Sequence, residues 1–134
     1  MAETRAPVQR PVSPHLQIYR LTLSMVMSGL HRITGLFLVA GMVLVTWWLL
    51  AAAAGQNHYG AFEAFATSWI GRLILFGFSW AALHHLLGGL RYLVWDLGIW
   101  VDNEERERLI LANIVGSIAC TILLWVILFL SGMR

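Results

Sequence analysis

The sequence predicts an all-α integral membrane protein with three transmembrane helices, and two observations support this prediction. The chain of 134 residues is 59% hydrophobic and only 12% charged, with a mean hydropathy of +0.72. Soluble domains are about 45–50% apolar and about 25% charged, so this chain lacks the polar residues that would cover a water-facing surface. It also contains three apolar stretches that are each long enough to cross a bilayer. A water-soluble enzyme, a disordered chain and a solenoid are therefore excluded.

Each apolar stretch meets the requirement of a spanning helix, which is about 20 mostly apolar residues for ~30 Å of hydrocarbon. Residues 33–54 carry no charge, residues 73–90 contain only two ionisable side chains, both histidines, and residues 109–132 contain none. With their flanking residues, the predicted helices run over about 22–54, 66–95 and 108–132. Together they form one transmembrane domain, residues 22–134.

The segments outside the helices predict the orientation. Residues 1–21 form an N-terminal arm that contains all three prolines and lacks the continuous apolar centre of a secretory signal. Residues 55–68 and 96–108 are predicted links. The basic residues on the side of the arm and the second link are Arg5, Arg10, Arg20, Arg106 and Arg108. Because arginine is enriched on the cytoplasmic side, we predict that the N-terminus and the second link face inside, and the first link and C-terminus outside.

The basic residues and the single cysteine exclude other classes of function. All nine basic residues are arginines, and against seven acids they leave a formal charge of +2. They are scattered along the chain, so no nucleic-acid partner is predicted. Cys120 has no second cysteine with which to form a disulfide or a cysteine-based metal site. A transition metal would need histidine or carboxylate ligands, and the His-Glu-x-x-His motif of zinc proteases is absent.

Ionisable residues inside the predicted helices are informative, because a charged group at the centre of a spanning helix costs about 2.5–3.5 kcal/mol on insertion scales. The two polar clusters are Ser28, His31 and Arg32 in the first helix and His84, His85 and Arg91 in the second. The first cluster has the i, i+3, i+4 spacing of one helix face. The two helices run in opposite directions and both clusters lie toward inner ends, so they reach one layer of the membrane. Such convergence favours a shared ligand.

Structural explanations of these residues stay open. Arg32 can mark the membrane interface with its guanidinium at the headgroups, and a membrane histidine often only hydrogen-bonds a neighbouring helix. Adjacent histidines point about 100° apart, so at most one of His84 and His85 serves a given ligand. Gly88 and Gly89 leave the helix bare beside His85, as a flat macrocycle next to its axial ligand requires, although glycine also serves ordinary helix packing.

Haem fits these residue types better than zinc does. Imidazole binds haem iron axially, and the porphyrin body suits the apolar surroundings of a membrane bundle. Haem propionates need arginine, histidine or hydroxyl partners. At the inner edge of the bundle, His31, Arg32 and Arg91 are positioned to supply them.

Three motifs follow one another along the chain. They are Arg10-Pro11-Val12-Ser13-Pro14-His15-Leu16-Gln17-Ile18-Tyr19-Arg20 in the arm, Ser28-Gly29-Leu30-His31-Arg32-Ile33-Thr34-Gly35 in the first helix, and His85-Leu86-Leu87-Gly88-Gly89-Leu90-Arg91 with Trp95-Asp96-Leu97-Gly98 in the second. Together these motifs closely resemble the cytochrome b membrane-anchor subunits of succinate dehydrogenase, respiratory complex II. The similarity covers about residues 10–98, and the third helix agrees only in length and hydropathy.

The resemblance implies that the three helices form part of a helical bundle with a second anchor subunit in the bacterial inner membrane. The bundle would hold a flavoprotein and an iron-sulfur subunit on the inner face, and electrons from succinate would pass through them to ubiquinone. The chain would host the electron acceptor and contribute no catalytic residue to succinate oxidation. The mitochondrial inner membrane is the less favoured location.

The resemblance also implies residue roles. His85 corresponds to an axial ligand of haem b, with the opposite ligand supplied by the partner anchor subunit. His31 and Arg91 correspond to partners of the haem propionates. Ser28 and Arg32 correspond to the quinone site, where a hydroxyl and a cation on one helix face would stabilise the charge that a quinone carbonyl gains on reduction.

The sequence departs from the family at one position and leaves two alternative functions. Family members commonly have Arg-His where this chain has Arg91-Tyr92, so an imidazole contact to a propionate is here replaced by the phenol or lost. His84 lies where the family often has tyrosine and is given no role. The alternatives are a fumarate reductase anchor working in the reverse direction and a structural subunit without cofactor.

Overall fold

A computed structural model describes residues 18–132, which form four α-helices and no strand within that range. The helices are α1 (Leu23–Ala53), α2 (Gln56–Thr67), α3 (Trp69–Asp96) and α4 (Asn103–Leu130). The all-α class is confirmed. Most of the predicted N-terminal arm, including Arg5 and Arg10, lies outside the described residues.

Three of the helices are long and apolar enough to cross a membrane: α1 with 31 residues, and α3 and α4 with 28 each. At 1.5 Å per residue, 28 residues extend about 42 Å, which exceeds the ~30 Å hydrocarbon core. The chain is therefore a multi-pass membrane protein, as predicted. α4 begins five residues before the predicted position 108, and its first turn contains Glu104 and Glu105. Acidic residues at a helix N-terminus interact favourably with the helix dipole, so this charged run belongs to the helix and is not a link.

The predicted link over residues 55–68 is helical as well. α2 has no buried residue, and its aromatic side chains pack against the end of α1. Trp47 lies 5.1 Å from Phe62 and 5.3 Å from Phe65, measured between ring centroids. Aromatic residues are enriched at membrane interfaces, which suits a short helix at the bilayer surface. A sequence search for spans of about 20 apolar residues does not detect a helix of this kind.

Tight turns join α1 to α2 and α2 to α3. Gly55, at the N-cap of α2, has a φ of 95°, a conformation that glycine adopts without the strain of a side chain. Ser68 caps α3, with its Oγ accepting a hydrogen bond of 3.0 Å from the backbone nitrogen of Gly71. A Cβ atom on Gly71 would overlap the carbonyl oxygen of Phe65, so glycine is required where the two helices meet.

Small and polar residues form the helix interfaces, and most large apolar side chains face outward. The buried stripes are Met27, Thr34 and Gly41 on α1, Ala81, His84, Gly88 and Arg91 on α3, and Ile110, Asn113, Ser117 and Thr121 on α4. Lipid is as apolar as leucine, so spanning helices associate through close packing and hydrogen bonds. α3 is the central helix and contacts both α1 and α4. α3 therefore carries both the residues that face α1 and the residues that face α4.

Candidate functional site: a histidine and arginine layer between the helices

His31 of α1 and His85 of α3 stack face to face, with ring centroids 3.9 Å apart and 14° between the ring planes. Each ring is also hydrogen-bonded to the other residue's backbone. His85 Nδ1 lies 3.1 Å from the His31 carbonyl oxygen, and His31 Nε2 lies 3.2 Å from the His85 carbonyl oxygen. A carbonyl oxygen only accepts, so each of these ring nitrogens carries a proton. In the neutral rings the opposite nitrogens, His85 Nε2 and His31 Nδ1, keep their lone pairs.

The environment of His85 fits an axial ligand of haem. The side chain is partly buried, and Nε2 makes no hydrogen bond with another residue of the described range. Metal-bound histidines commonly donate their second ring N–H to a carbonyl or carboxylate, which fixes the tautomer and the ring orientation. His85 has that arrangement, because its Nδ1 donates to the His31 carbonyl. The Thr34 hydroxyl, 3.4 Å from His85 Nδ1, borders the same nitrogen.

Two glycines give the paired rings their space. A Cβ atom on Gly35 would lie 3.0 Å from His85 Cε1, and one on Gly88 would lie 2.5 Å from His31 Cδ2. Gly88 thus accommodates the histidine of the neighbouring helix. A Cβ atom on Gly89 would have no described atom within 4 Å. Of the adjacent residues Gly88 and Gly89, only Gly89 therefore leaves open surface for a flat group.

The reciprocal bonding restricts what His31 can bind. Its Nε2 proton is directed to the His85 carbonyl, and a neutral ring has no second N–H for a carboxylate. The geometry therefore supports a role in orienting His85, and a contact with a propionate requires a ring protonated at both nitrogens.

Arg91 lies about 1.7 turns beyond His85 on α3 and is only 4% exposed. Its guanidinium carbon lies 5.2 Å from the ring centroid of Tyr92 and 4.9 Å from that of Trp95. Nε and Nη1 are buried and have no hydrogen-bond partner among the described residues. A buried unpaired cation is unfavourable, so this arrangement favours an anionic partner from outside residues 18–132.

His84 takes the structural role that the sequence left open for one of the two histidines. It is 1% exposed, and its Nδ1 lies 3.1 Å from Ser117 Oγ on α4. Ser117 donates its own proton to the Ile114 carbonyl, so its oxygen accepts from His84. Asn113 adds a hydrogen bond of 3.3 Å to the His84 carbonyl. His84 therefore joins α3 to α4, whereas His85 faces α1.

Ser28 and Arg32 are not brought into this layer. Ser28 is partly buried, Arg32 is exposed, and neither side chain hydrogen-bonds another described residue. The residues expected on one face of the first helix therefore point in different directions. His31 is turned toward α3, whereas Arg32, which lies about 100° further around the helix, is turned away. Arg32 and Ser28 remain available to a ligand or partner on the outside of α1.

The sequence reasoning missed Thr34, Asn113 and Ser117, which form the hydrogen bonds around the two histidines. A signal for them exists, because hydroxyl and amide side chains in apolar spans tend to hydrogen-bond across helices. Apart from Ser28, the predicted site residues are all ionisable, and the apolar stretch of the third helix, residues 109–132, offers none of that kind.

The fold and this layer define a class: a multi-pass α-helical membrane protein whose polar residues are gathered between its spans. The sequence profile of the succinate dehydrogenase/fumarate reductase transmembrane subunit family matches residues 6–124. The chain is 43% identical over 120 residues to the succinate dehydrogenase cytochrome b556 subunit of Paracoccus denitrificans, which covers 90% of this chain and 92% of that protein. It is 35% identical over 128 residues to the corresponding subunit of Rickettsia felis, covering 94% and 100%.

A mitochondrial relative is similar over a shorter part. The succinate dehydrogenase cytochrome b560 subunit of Sus scrofa is 38% identical over 93 residues, covering 66% of this chain and 54% of that protein. The chain belongs to the succinate dehydrogenase/fumarate reductase transmembrane subunit family. The family predicted from the three motifs is confirmed, and with it a role as a membrane anchor subunit of the cytochrome b type.

Proposed function

We propose that this chain holds haem b through His85 and helps to form the ubiquinone-reduction site of succinate dehydrogenase. The observation that carries the haem assignment is the free Nε2 of His85, whose Nδ1 is held by the His31 carbonyl. Haem in this position would supply a one-electron carrier between the spans. His85 would hold the haem from this chain, and the partner anchor subunit would supply the other protein ligand.

Two residues of the chain are proposed to bind the haem propionates. Arg91 supplies a buried guanidinium whose Nε and Nη1 have no described partner, which suits a carboxylate. His31 supplies a second contact when both of its ring nitrogens are protonated. In the neutral state, its ring instead holds His85 in place through the stack and the paired hydrogen bonds.

The quinone site is proposed to include Ser28 and Arg32. The two residues lie one turn apart on α1, where a hydroxyl and a guanidinium can both reach a quinone carbonyl. Their preorganised donors would stabilise the negative charge that develops there on reduction. Because Arg32 is exposed in the single chain, the remainder of the site is supplied by partner subunits.

The proposed setting follows from the orientation of the charges. The N-terminus and the α3–α4 turn, which is followed by Arg106 and Arg108, face the cytoplasm of a bacterium. The iron-sulfur and flavoprotein subunits dock on that side, and electrons from succinate reach the quinone through them. The three relatives described above are named as succinate dehydrogenase subunits, which favours this direction over fumarate reduction.

The deciding experiment replaces the two adjacent histidines separately in the purified complex. His85→Leu should abolish the low-spin haem spectrum, measured per flavin. His84→Gln is the matched control: it changes the neighbouring imidazole but keeps a polar group beside Ser117, and the spectrum should persist. An unchanged bis-histidine spectrum in His85→Leu would show that the ligand assignment is wrong.

A further inference from the structure

Three buried hydrogen-bond donors without a described partner lie together at the inner end of α3. They are Arg91 Nε, Arg91 Nη1 and Trp95 Nε1. Trp95 follows Arg91 by one helical turn, and the guanidinium carbon lies 4.9 Å from the indole ring centroid. The two side chains are therefore in contact, and their buried N–H groups belong to one cluster of side chains.

An arrangement of this kind calls for an acceptor. A buried donor without a partner costs about 1–3 kcal/mol, and more when the group is charged. The carboxylate nearest in sequence, Asp96, is exposed, and the one ion pair formed within residues 18–132 joins Arg108 to Glu104. A carboxylate from outside this range matches the donors, because its two oxygens can accept several hydrogen bonds at once.

The surrounding rings limit where the donors can point. Arg91 lies against the rings of both Tyr92 and Trp95, which restricts the guanidinium. Tyr92 in turn packs edge-on against Trp95, with centroids 5.5 Å apart, and against His31, with centroids 5.2 Å apart. Tyr92 thus connects the donor group to the histidine pair and holds Trp95 in position.

We propose that Arg91 and Trp95 form one carboxylate site, with the indole N–H as its neutral donor, and that the carboxylate is a haem propionate. This inference rests on the proposed haem function. It assigns Trp95 a binding role: the residue contacts the cofactor through Nε1 and orients Arg91 through its ring. The site lies on the same helix as His85, the proposed iron ligand, and toward the inner end of that helix.

The test compares tryptophan variants in the intact complex, with the haem midpoint potential measured by spectroscopic redox titration. Trp95→Phe keeps an aromatic ring beside Arg91 and removes the N–H donor. The propionate then retains more negative charge, which favours ferric haem. The expected shift is about threefold toward the oxidised form, or ~28 mV downward at 59 mV per tenfold for one electron. Arg91→Gln should shift the potential further in the same direction.

The matched control removes an indole N–H elsewhere. Trp125 Nε1 contacts Ser79 Oγ at 3.4 Å, far along the bundle, and Trp125→Phe should leave the potential unchanged. Trp95→His retains a ring N–H and should recover most of the wild-type potential. If Trp95→Phe does not assemble, Trp95→His provides the test in its place. A midpoint potential of Trp95→His as low as that of Arg91→Gln, although a ring N–H is retained, would count against the indole N–H as a donor.

The outcomes separate this proposal from the haem assignment. A shift in Arg91→Gln with none in Trp95→Phe would remove Trp95 from the site and leave the haem assignment intact. No shift in either variant would mean that the carboxylate is not a propionate, and the proposal would be wrong. Persistence of low-spin haem in His85→Leu would overturn the proposed function itself.

Discussion

His31 and His85 hold each other across the α1–α3 interface through a ring stack of 3.9 Å and two hydrogen bonds from ring to backbone. The pairing joins two spanning helices and at the same time sets the protonated nitrogen of each ring. Because the donors and acceptors lie on two helices, the direction of His85 Nε2 is set by the protein's own hydrogen bonds. Such preorganisation is what a metal ligand needs from its neighbours.

Gly88→Ala should disrupt this pair. The added Cβ would lie 2.5 Å from His31 Cδ2, so His31 must move, and overpacking of this kind typically costs 1–3 kcal/mol. We expect a lower haem content per flavin in the purified complex and a broadened low-spin band. Gly77→Ala on the same helix is the control, because its Cβ would have no described atom within 4 Å. Wild-type haem content in Gly88→Ala would mean that the stack does not support the ligand.

Ser28→Ala and Arg32→Gln should each depress quinone reductase activity. Hydrogen bonds to charged groups contribute about 1.5–3 kcal/mol, which corresponds to a loss of roughly tenfold to a hundredfold in kcat/KM. Succinate oxidation with an artificial dye should be unaffected, since it does not require the quinone site. Arg108→Gln serves as the control, because its ion pair with Glu104 is exposed and contributes little. Equal loss of both activities would instead indicate a defect in assembly.

Ser117→Ala should weaken the bundle without altering the haem. The change removes the hydrogen-bond partner of His84 Nδ1, and interhelical hydrogen bonds in membranes contribute about 0.6 kcal/mol on average and up to about 1.7 kcal/mol. We expect a shorter half-life of the solubilised complex on heating, with an unchanged spectrum. Thr46→Ala, which removes only a bond within α1, should have a smaller effect. A spectral change in Ser117→Ala would indicate that His84 takes part in haem binding.

The predicted orientation can be tested by cysteine labelling of the complex in whole cells. Cys120 is exposed on α4 and is first replaced by serine, so that this chain contains no other cysteine and its labelling can be followed on the separated subunit. Asn57→Cys, in α2, should react with a membrane-impermeant maleimide from outside. Asn103→Cys, at the start of α4, should react only after the cells are opened. The reverse pattern would contradict an inward-facing N-terminus.

The number of spans was predictable because membrane insertion depends on the local run of apolar residues, which any window of the sequence reveals. The first and last residues of the helices were less predictable. The charged residues before position 108 begin α4, and residues 56–67 form α2, because helices continue into the headgroup region where charge and aromatic rings are tolerated. His85 and Arg91 also stood out from sequence, since ionisable groups in hydrocarbon require an explanation.

The sequence by itself therefore determined the class of protein, the spans and the short set of residues worth testing. The resemblance in the sequence already favoured His85 over His84, and the i,i+4 spacing already put Trp95 one turn from Arg91 on the same helix. Only the tertiary structure showed that His84 joins α3 to α4 and that His31 is turned toward α3 while Arg32 is turned away. These assignments depend on which face of each helix its neighbour covers. The rotation of one helix against another is set by close packing at small residues such as Gly41 and Gly88, and no periodicity within a single helix encodes it.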